Sequence, residues 1–286
     1  MSEVNKTMLI SVVVNLGLSI IKIIGGLIGC SNSLIADGIH SFSDLTTDVI
    51  AIIGVKLSLK PADPKHPFGH GKIEYLTSIV ISLIILGLGI TVIYRTFESK
   101  LIFPQMWVTI ISILTIVAKL FLSKFIIIKG KKLNNNVLIA SGKESLSDVY
   151  GSVMVFISII LMYLSRYIDV LKYADILTSI IIGLLILKIG YQILKENVVV
   201  LLDEQIEDKT YLEEIQKTIL KEQNILKIKH LHILKNGPYY KLLSTVIMDK
   251  HLPIGKAHDI IDEVEEKIKK KDKKIKYVII HIEPND

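Results

Sequence analysis

One cysteine and one tryptophan are all that 286 residues hold of these two side chains. A lone Cys30 excludes an internal disulfide and any cysteine-based zinc cluster. At the expected end of a helix it reads as a small apolar residue. The sequence contains no HExxH, so it lacks the zinc ligands and general base of the common metallopeptidase pattern, and an enzyme is not expected. The opening MSEVNKTMLI lacks the small-residue cleavage site of a signal peptide, so the first apolar run is expected to be a retained span. Charge is sparse across long stretches while apolar residues make up 50% of the chain, which places it in the membrane class. The net charge of +6 is carried by lysines that crowd the loops between apolar runs and the C-terminal tail. That distribution is a topology signal, and no nucleic-acid partner is expected.

Apolar runs long enough to cross a bilayer predict spans at about 8–29, 34–59, 73–94, 107–125, 137–164 and 173–195. Gly25, Gly26 and Gly29 allow close approach of the first span to a neighbour. Lys22, inside that span, is expected to snorkel or to pair with a carboxylate. Loops after the second and fourth spans carry Lys60, Lys65, Lys72, Lys129, Lys131 and Lys132, and the other loops carry fewer positive residues. The positive-inside rule therefore puts both termini in the cytoplasm. The absence of a targeting segment suits a plasma or inner membrane. After Leu202 the chain becomes soluble in character. Periodicity predicts helices over 208–222 and 254–271 and strands over 225–234, 240–248 and 276–282. The organisation is thus a six-helix all-α membrane domain, 1–200, followed by a small α+β cytoplasmic domain, 201–286. A domain that small is a candidate for dimerisation.

The second span carries the chemistry. LIADGIHSFSDLTTD holds Asp37, His40, Asp44 and Asp48 at spacings of three, four and four, which puts all four on one helix face. Charges at membrane depth are expensive and usually mark an ion or proton path. Imidazole and carboxylate one turn apart suit one divalent metal ion. Acidic residues would be ordinary at a helix end in water, but apolar sequence on both sides argues against that. The fifth span repeats the theme in ASGKESLSDVYGS, with Glu144 and Asp148 one turn apart among small residues. Between the second and third spans, KPADPKHPFGHGK breaks any helix with three prolines and two glycines. Its Asp63, His66 and His70 fit either a surface metal site or a solvated turn with incidental histidines. The tail domain holds His230, His232, His251, His258 and His281, with Glu283 near the last.

Taken in order, SLIADGIHSFSD, KPADPKHPFGHGK, SGKESLSD, the Gly237–Pro238 turn, Ala257–His258 and HIEP at His281 to Pro284 resemble the cation diffusion facilitator family over nearly the whole chain. The resemblance implies a homodimer in the lipid bilayer that exports divalent transition-metal ions from the cytoplasm in exchange for protons. A metallochaperone-like, ferredoxin-like cytoplasmic domain is expected with it. It implies a tetrahedral transport site of His40, Asp44, Glu144 and Asp148; on position alone, Asp37 and Asp48 fit partners behind such a site, the ion path, or the water boundary. It further implies a loop metal site at Asp63, His66 and His70. A cytoplasmic metal site would use His258, His281 and Glu283, with His230 joining if one gap is allowed. Lys72 and Asp203 resemble the charge pair that interlocks the protomers. Glu144 stands where the family's zinc transporters commonly have histidine. One nitrogen with three carboxylates is a harder donor set and leans toward Mn2+ or Fe2+, with Zn2+, cobalt and cadmium as alternatives. Thr245 stands where a full cytoplasmic cluster has histidine, so that site is expected to be reduced. A non-transporting sensor, or a partner that stabilises another transporter, would use the same ligands.

Overall fold

Without water, backbone polar groups can be satisfied only within a helix or a closed barrel. The long apolar runs accordingly become α1 (Glu3–Gly29), α2 (Asn32–Ser58), α3 (Ile73–Glu98), α4 (Met106–Lys132), α5 (Asn136–Leu164) and α6 (Ala174–Leu201). The computed structural model describes residues 3–98, 102–133 and 135–285, without the side chains of 5, 47–52, 55 and 137. Among the described residues, five helices are long and apolar enough to cross a membrane. α2 has the length, 27 residues, but carries the Asp, His and Lys residues that lower its apolarity. α4 runs past the expected end at 125. Lys129, Lys131 and Lys132, expected in a loop, form its last turn. Lysine is a good helix former, and its charge is favoured at a helix C-terminus.

Met1–Val49 and Ile81–Ile193 form one compact unit, and Ile50–Val80 and Leu194–Asp286 form another. In the first, α1 packs along α4 and α4 along α5. Its outside is apolar, with Ile113, Leu114, Phe121 and Leu184 exposed, while Lys22, Asp37, Lys119 and Asp175 are buried. This inversion suits a lipid solvent and a polar interior. The Asp175 carboxylate, from the first turn of α6, accepts bonds from the backbone N–H groups of Asn32 (2.8 Å) and Ser33 (3.2 Å) and from the Ser31 hydroxyl (2.9 Å). It satisfies donors that the start of α2 would leave orphaned, with a charge the helix dipole favours. The helix that carries the predicted site is therefore fixed at its N-terminal end.

In the second unit, α7 (Lys209–Leu220), β1 (Ile225–Asn236), β2 (Tyr239–Met248), α8 (Ile254–Lys271) and β3 (Ile275–Pro284) follow one another. The sheet order is β1-β2-β3. β1 and β2 are antiparallel and joined by a tight turn in which Gly237 takes φ +63°. β2 and β3 are parallel, so α8 must serve as their crossover. α8 buries Ala257, Ile261, Val264 and Ile268 along one stripe, and these pack with Ile215, Ile219, Ile233, Leu242 and Val246 into one core.

The segment after α2 belongs to this unit and grips the β1–β2 turn. Asn236 donates from Nδ2 to the Phe68 carbonyl (3.1 Å), and the Gly237 N–H donates to the Tyr75 hydroxyl (2.6 Å). Phe68 meets Tyr277 edge to face at 5.5 Å between ring centroids. Gly71 has no room for a side chain, since a Cβ there would lie 2.1 Å from the Asn236 carbonyl oxygen. Gly71→Ala is therefore expected to lower the stability of this unit by about 1–3 kcal/mol. A reduced midpoint in thermal unfolding of the purified protein is the measurement that checks it.

Candidate metal centre

α2 and α5 bring three metal-capable side chains together. Ligand atoms of His40, Asp44 and Asp148 all lie within 4.8 Å of one another. His40 and Asp44 are one turn apart, with Nδ1 and Oδ1 separated by 3.8 Å, too far for a hydrogen bond. His40 Nδ1, Asp44 Oδ2 and the Ser145 hydroxyl are buried and have no hydrogen-bond partner. Buried polar atoms are nearly always satisfied, so two orphans within one cluster, His40 Nδ1 and Asp44 Oδ2, need an explanation. A nitrogen and carboxylate oxygens converging in this way fit a divalent cation. Expected with them, Glu144 lies outside this cluster among the described residues. It is exposed on α5, although it stays within electrostatic reach of Asp44. The Asp48 side chain lies outside the described residues.

Asp37 is not at the cluster. It is buried against Lys22, with Nζ to Oδ2 at 2.8 Å, and accepts from the Ser152 hydroxyl at 2.9 Å. Lys22 therefore pairs rather than snorkels, and also donates to Ser152 at 2.8 Å. Lys119 of α4 is not among the residues the sequence singles out, yet it reaches Asp148 Oδ2 at 2.9 Å while only 3% exposed. The signal that points to it is an ammonium midway along an apolar run, which requires a carboxylate partner inside the bundle.

The three loop residues lie together. Asp63, His66 and His70 place ligand atoms within 4.8 Å of one another. Asp63 Oδ1 lies 3.0 Å from His66 Nδ1, and Asp63 Oδ2 lies 3.4 Å from His70 Nε2. The backbone N–H of His66 holds the Asp63 carboxyl below the usual carboxylate range, helped by the His66 side chain and the Lys65 N–H. The carboxylate is thus ionised and positioned for a cation. Lys72 lies 2.9 Å from Asp203 and also donates to the Leu201 carbonyl at 3.3 Å. The expected interlocking pair is satisfied within one chain, where Asp203 adopts φ +65°.

The cytoplasmic-domain residues do not meet within one chain. His258 is on the outer side of α8, 3.1 Å from Asp262. His230 and His281 are each in register with Thr245, one on either side. Two strand spacings, about 9–10 Å, therefore separate their backbones. Glu283 is held by Lys229 at 2.8 Å, which keeps its carboxyl below the usual range. Among the described residues this domain has no three-ligand cluster.

Residues 8–202 match the family model described as the cation efflux transmembrane domain, and residues 208–285 match that of the cation efflux protein cytoplasmic domain. The chain is similar to the manganese efflux system protein MneP of Bacillus subtilis, 32% identical with 98% of this chain and 95% of that protein covered. It is also similar to a cadmium, cobalt and zinc/H(+)-K(+) antiporter of the same organism, 28% identical over 97% of this chain and 88% of that protein. Among solved structures, the metal-bound C-terminal domain of the CzcD transporter from Thermotoga maritima matches with 21% identity, a TM-score of 0.26, 27% of this chain covered and 93% of that chain. With both family models matched in order across nearly its whole length, the chain belongs to the cation efflux, or cation diffusion facilitator, family of multi-pass membrane metal transporters.

Proposed function

We propose that this protein moves divalent transition-metal ions out of the cytoplasm in exchange for protons, with His40, Asp44 and Asp148 as the core of the transport site. The observation that carries the reading is the convergence of these three side chains from α2 and α5, with His40 Nδ1 and Asp44 Oδ2 buried and without a hydrogen-bond partner. Glu144 supplies a further carboxylate when the helices close on an ion. Metal binding needs ionised carboxylates and a neutral imidazole, so protons compete for the same groups. Opening to the outside lets protons displace the metal. Opening to the inside lets metal displace protons. The ligands are then the proton carriers, and alternating access needs only two arrangements of the helices around them.

Manganese or iron(II) is the favoured cargo. A donor set of one imidazole with carboxylates is hard, which suits these ions relatively better than zinc. A manganese efflux protein among the relatives points the same way. The residues 1–200 form the transport domain, placed in the plasma or inner membrane with both termini in the cytoplasm. The residues 201–286 form a dimerising regulatory domain. Two copies would bring together ligands from His230, His258, His281 and Glu283 that one chain keeps apart. The Asp63, His66 and His70 cluster is a second metal site, and Lys72 and Asp203 form a charge pair that interlocks the protomers.

The test is uptake into proteoliposomes of the purified protein, comparing manganese, iron(II), zinc and cobalt with and without an outward proton gradient. Gradient-driven uptake with manganese or iron fastest is expected. Zinc moving fastest would refute the metal preference. No gradient-dependent movement of any ion would refute antiport.

A further inference from the structure

The buried lysine of α4 stands where a transported ion would bind. Lys119 Nζ is 2.9 Å from Asp148 Oδ2 and 3.4 Å from the Ser41 hydroxyl. Lys22 also reaches Ser41 at 3.4 Å, but Asp37 already matches its charge at 2.8 Å. Asp148 therefore has a tethered cation of its own. A divalent ion held by Asp148 would lie within a few ångströms of that ammonium, and like charges so close in a protein interior repel strongly. One of the two must yield.

We propose that Lys119 is a tethered competitor of the transported ion, pairing with Asp148 in the empty carrier and turning toward Ser41 when a divalent ion takes the carboxylate. The inference rests on the reading of His40, Asp44 and Asp148 as the transport site. The competition is between two positive charges for one carboxylate. A univalent ion gains little from the carboxylates beyond what the displaced ammonium loses, whereas a divalent ion gains about twice as much. Lys119 thus screens out sodium and potassium. When the metal leaves, the ammonium returns to Asp148, which leaves His40 and Asp44 as the ligands that carry protons, and the empty carrier does not hold an uncompensated carboxylate inside the helix bundle.

The experiment is manganese(II) titration of the purified full-length protein in detergent at fixed pH, followed by calorimetry, with Asp44→Asn as the blank that defines binding at this site. Lys119→Met keeps the stem and removes the charge. Lys119→Arg keeps the charge and grips a carboxylate through two bonds. Lys119→Met is expected to bind manganese roughly tenfold more tightly, and Lys119→Arg roughly tenfold more weakly. A residue that only positions Asp148 would weaken binding when lost. Unchanged or weaker binding by Lys119→Met, or unchanged or tighter binding by Lys119→Arg, overturns the competitor and leaves the site standing. If Lys119→Met does not fold, Lys119→Arg decides alone. An Asp44→Asn titration that matches wild type, with no binding event lost, overturns the site, and the competitor with it.

Discussion

Asp44→Asn is expected to leave a folded protein that no longer moves metal. The initial rate of uptake into proteoliposomes should fall by at least the roughly 100-fold that losing even an outer partner of a metal site can cost. Asp44 is the informative choice among the three clustered residues. Its Oδ2 is buried without a hydrogen-bond partner. It also differs from Asp148, whose Oδ2 holds the Lys119 ammonium at 2.9 Å. An amide of the same shape therefore removes a ligand charge without stranding a buried lysine. Asp148→Asn should also stop transport, but it leaves Lys119 without its carboxylate and should lower the unfolding temperature as well. Comparing thermal unfolding of the two variants with their transport rates separates lost chemistry from lost structure. A folded Asp44→Asn that transports at the normal rate would remove this cluster from the mechanism.

Asp37→Ala should produce the largest loss of stability of any single change in the membrane helices considered above. Lys22 is 0% exposed in its side chain and Asp37 2%. Removing one partner of a buried pair costs about 3–5 kcal/mol, because it leaves an uncompensated charge in a low-dielectric interior. The Ser152 and Ser41 hydroxyls that Lys22 also reaches offer dipoles and no countercharge. Removing both charges should cost much less, since apolar residues of similar volume often replace a buried ion pair without loss. The expected order of unfolding midpoints is wild type close to Lys22→Met with Asp37→Leu, and both well above Asp37→Ala. Transport by the stable double variant then gives Asp37 its role. Normal transport makes the pair structural, and lost transport places Asp37 on the ion path. A single Asp37→Ala variant as stable as wild type would contradict the buried-pair account.

How much of this was legible depends on how local the cause is. The bounds of α8 coincide with those expected from periodicity, because apolar residues at helical spacing select both the element and its buried stripe. His40 and Asp44 share a face because residues four apart on a helix must. Asp63, His66 and His70 converge because a proline-rich loop leaves them few arrangements. α4 runs beyond its expected end because lysine extends a helix readily, so the lysine cluster forms its last turn and not a loop. Glu144 and Asp148 also share a spacing of four, yet only Asp148 joins the cluster, since reach across to α2 depends on side-chain direction and on how α5 is turned about its axis.

By itself the sequence determined the membrane class, the long helices, the α+β tail, the family pattern and the metal-capable side chains that share one helix or one loop. All of these follow from local periodicity, backbone satisfaction and partition between water and lipid. Only the tertiary structure decided which charges meet. Lys22 finds Ser152 across 130 positions of chain, and Lys119 finds Asp148 from a neighbouring helix. Such pairings depend on helix rotation and close packing, which no spacing within one element encodes. For the same reason His230, His258 and His281 form no three-ligand cluster among the described residues of one chain, although all three read alike in sequence.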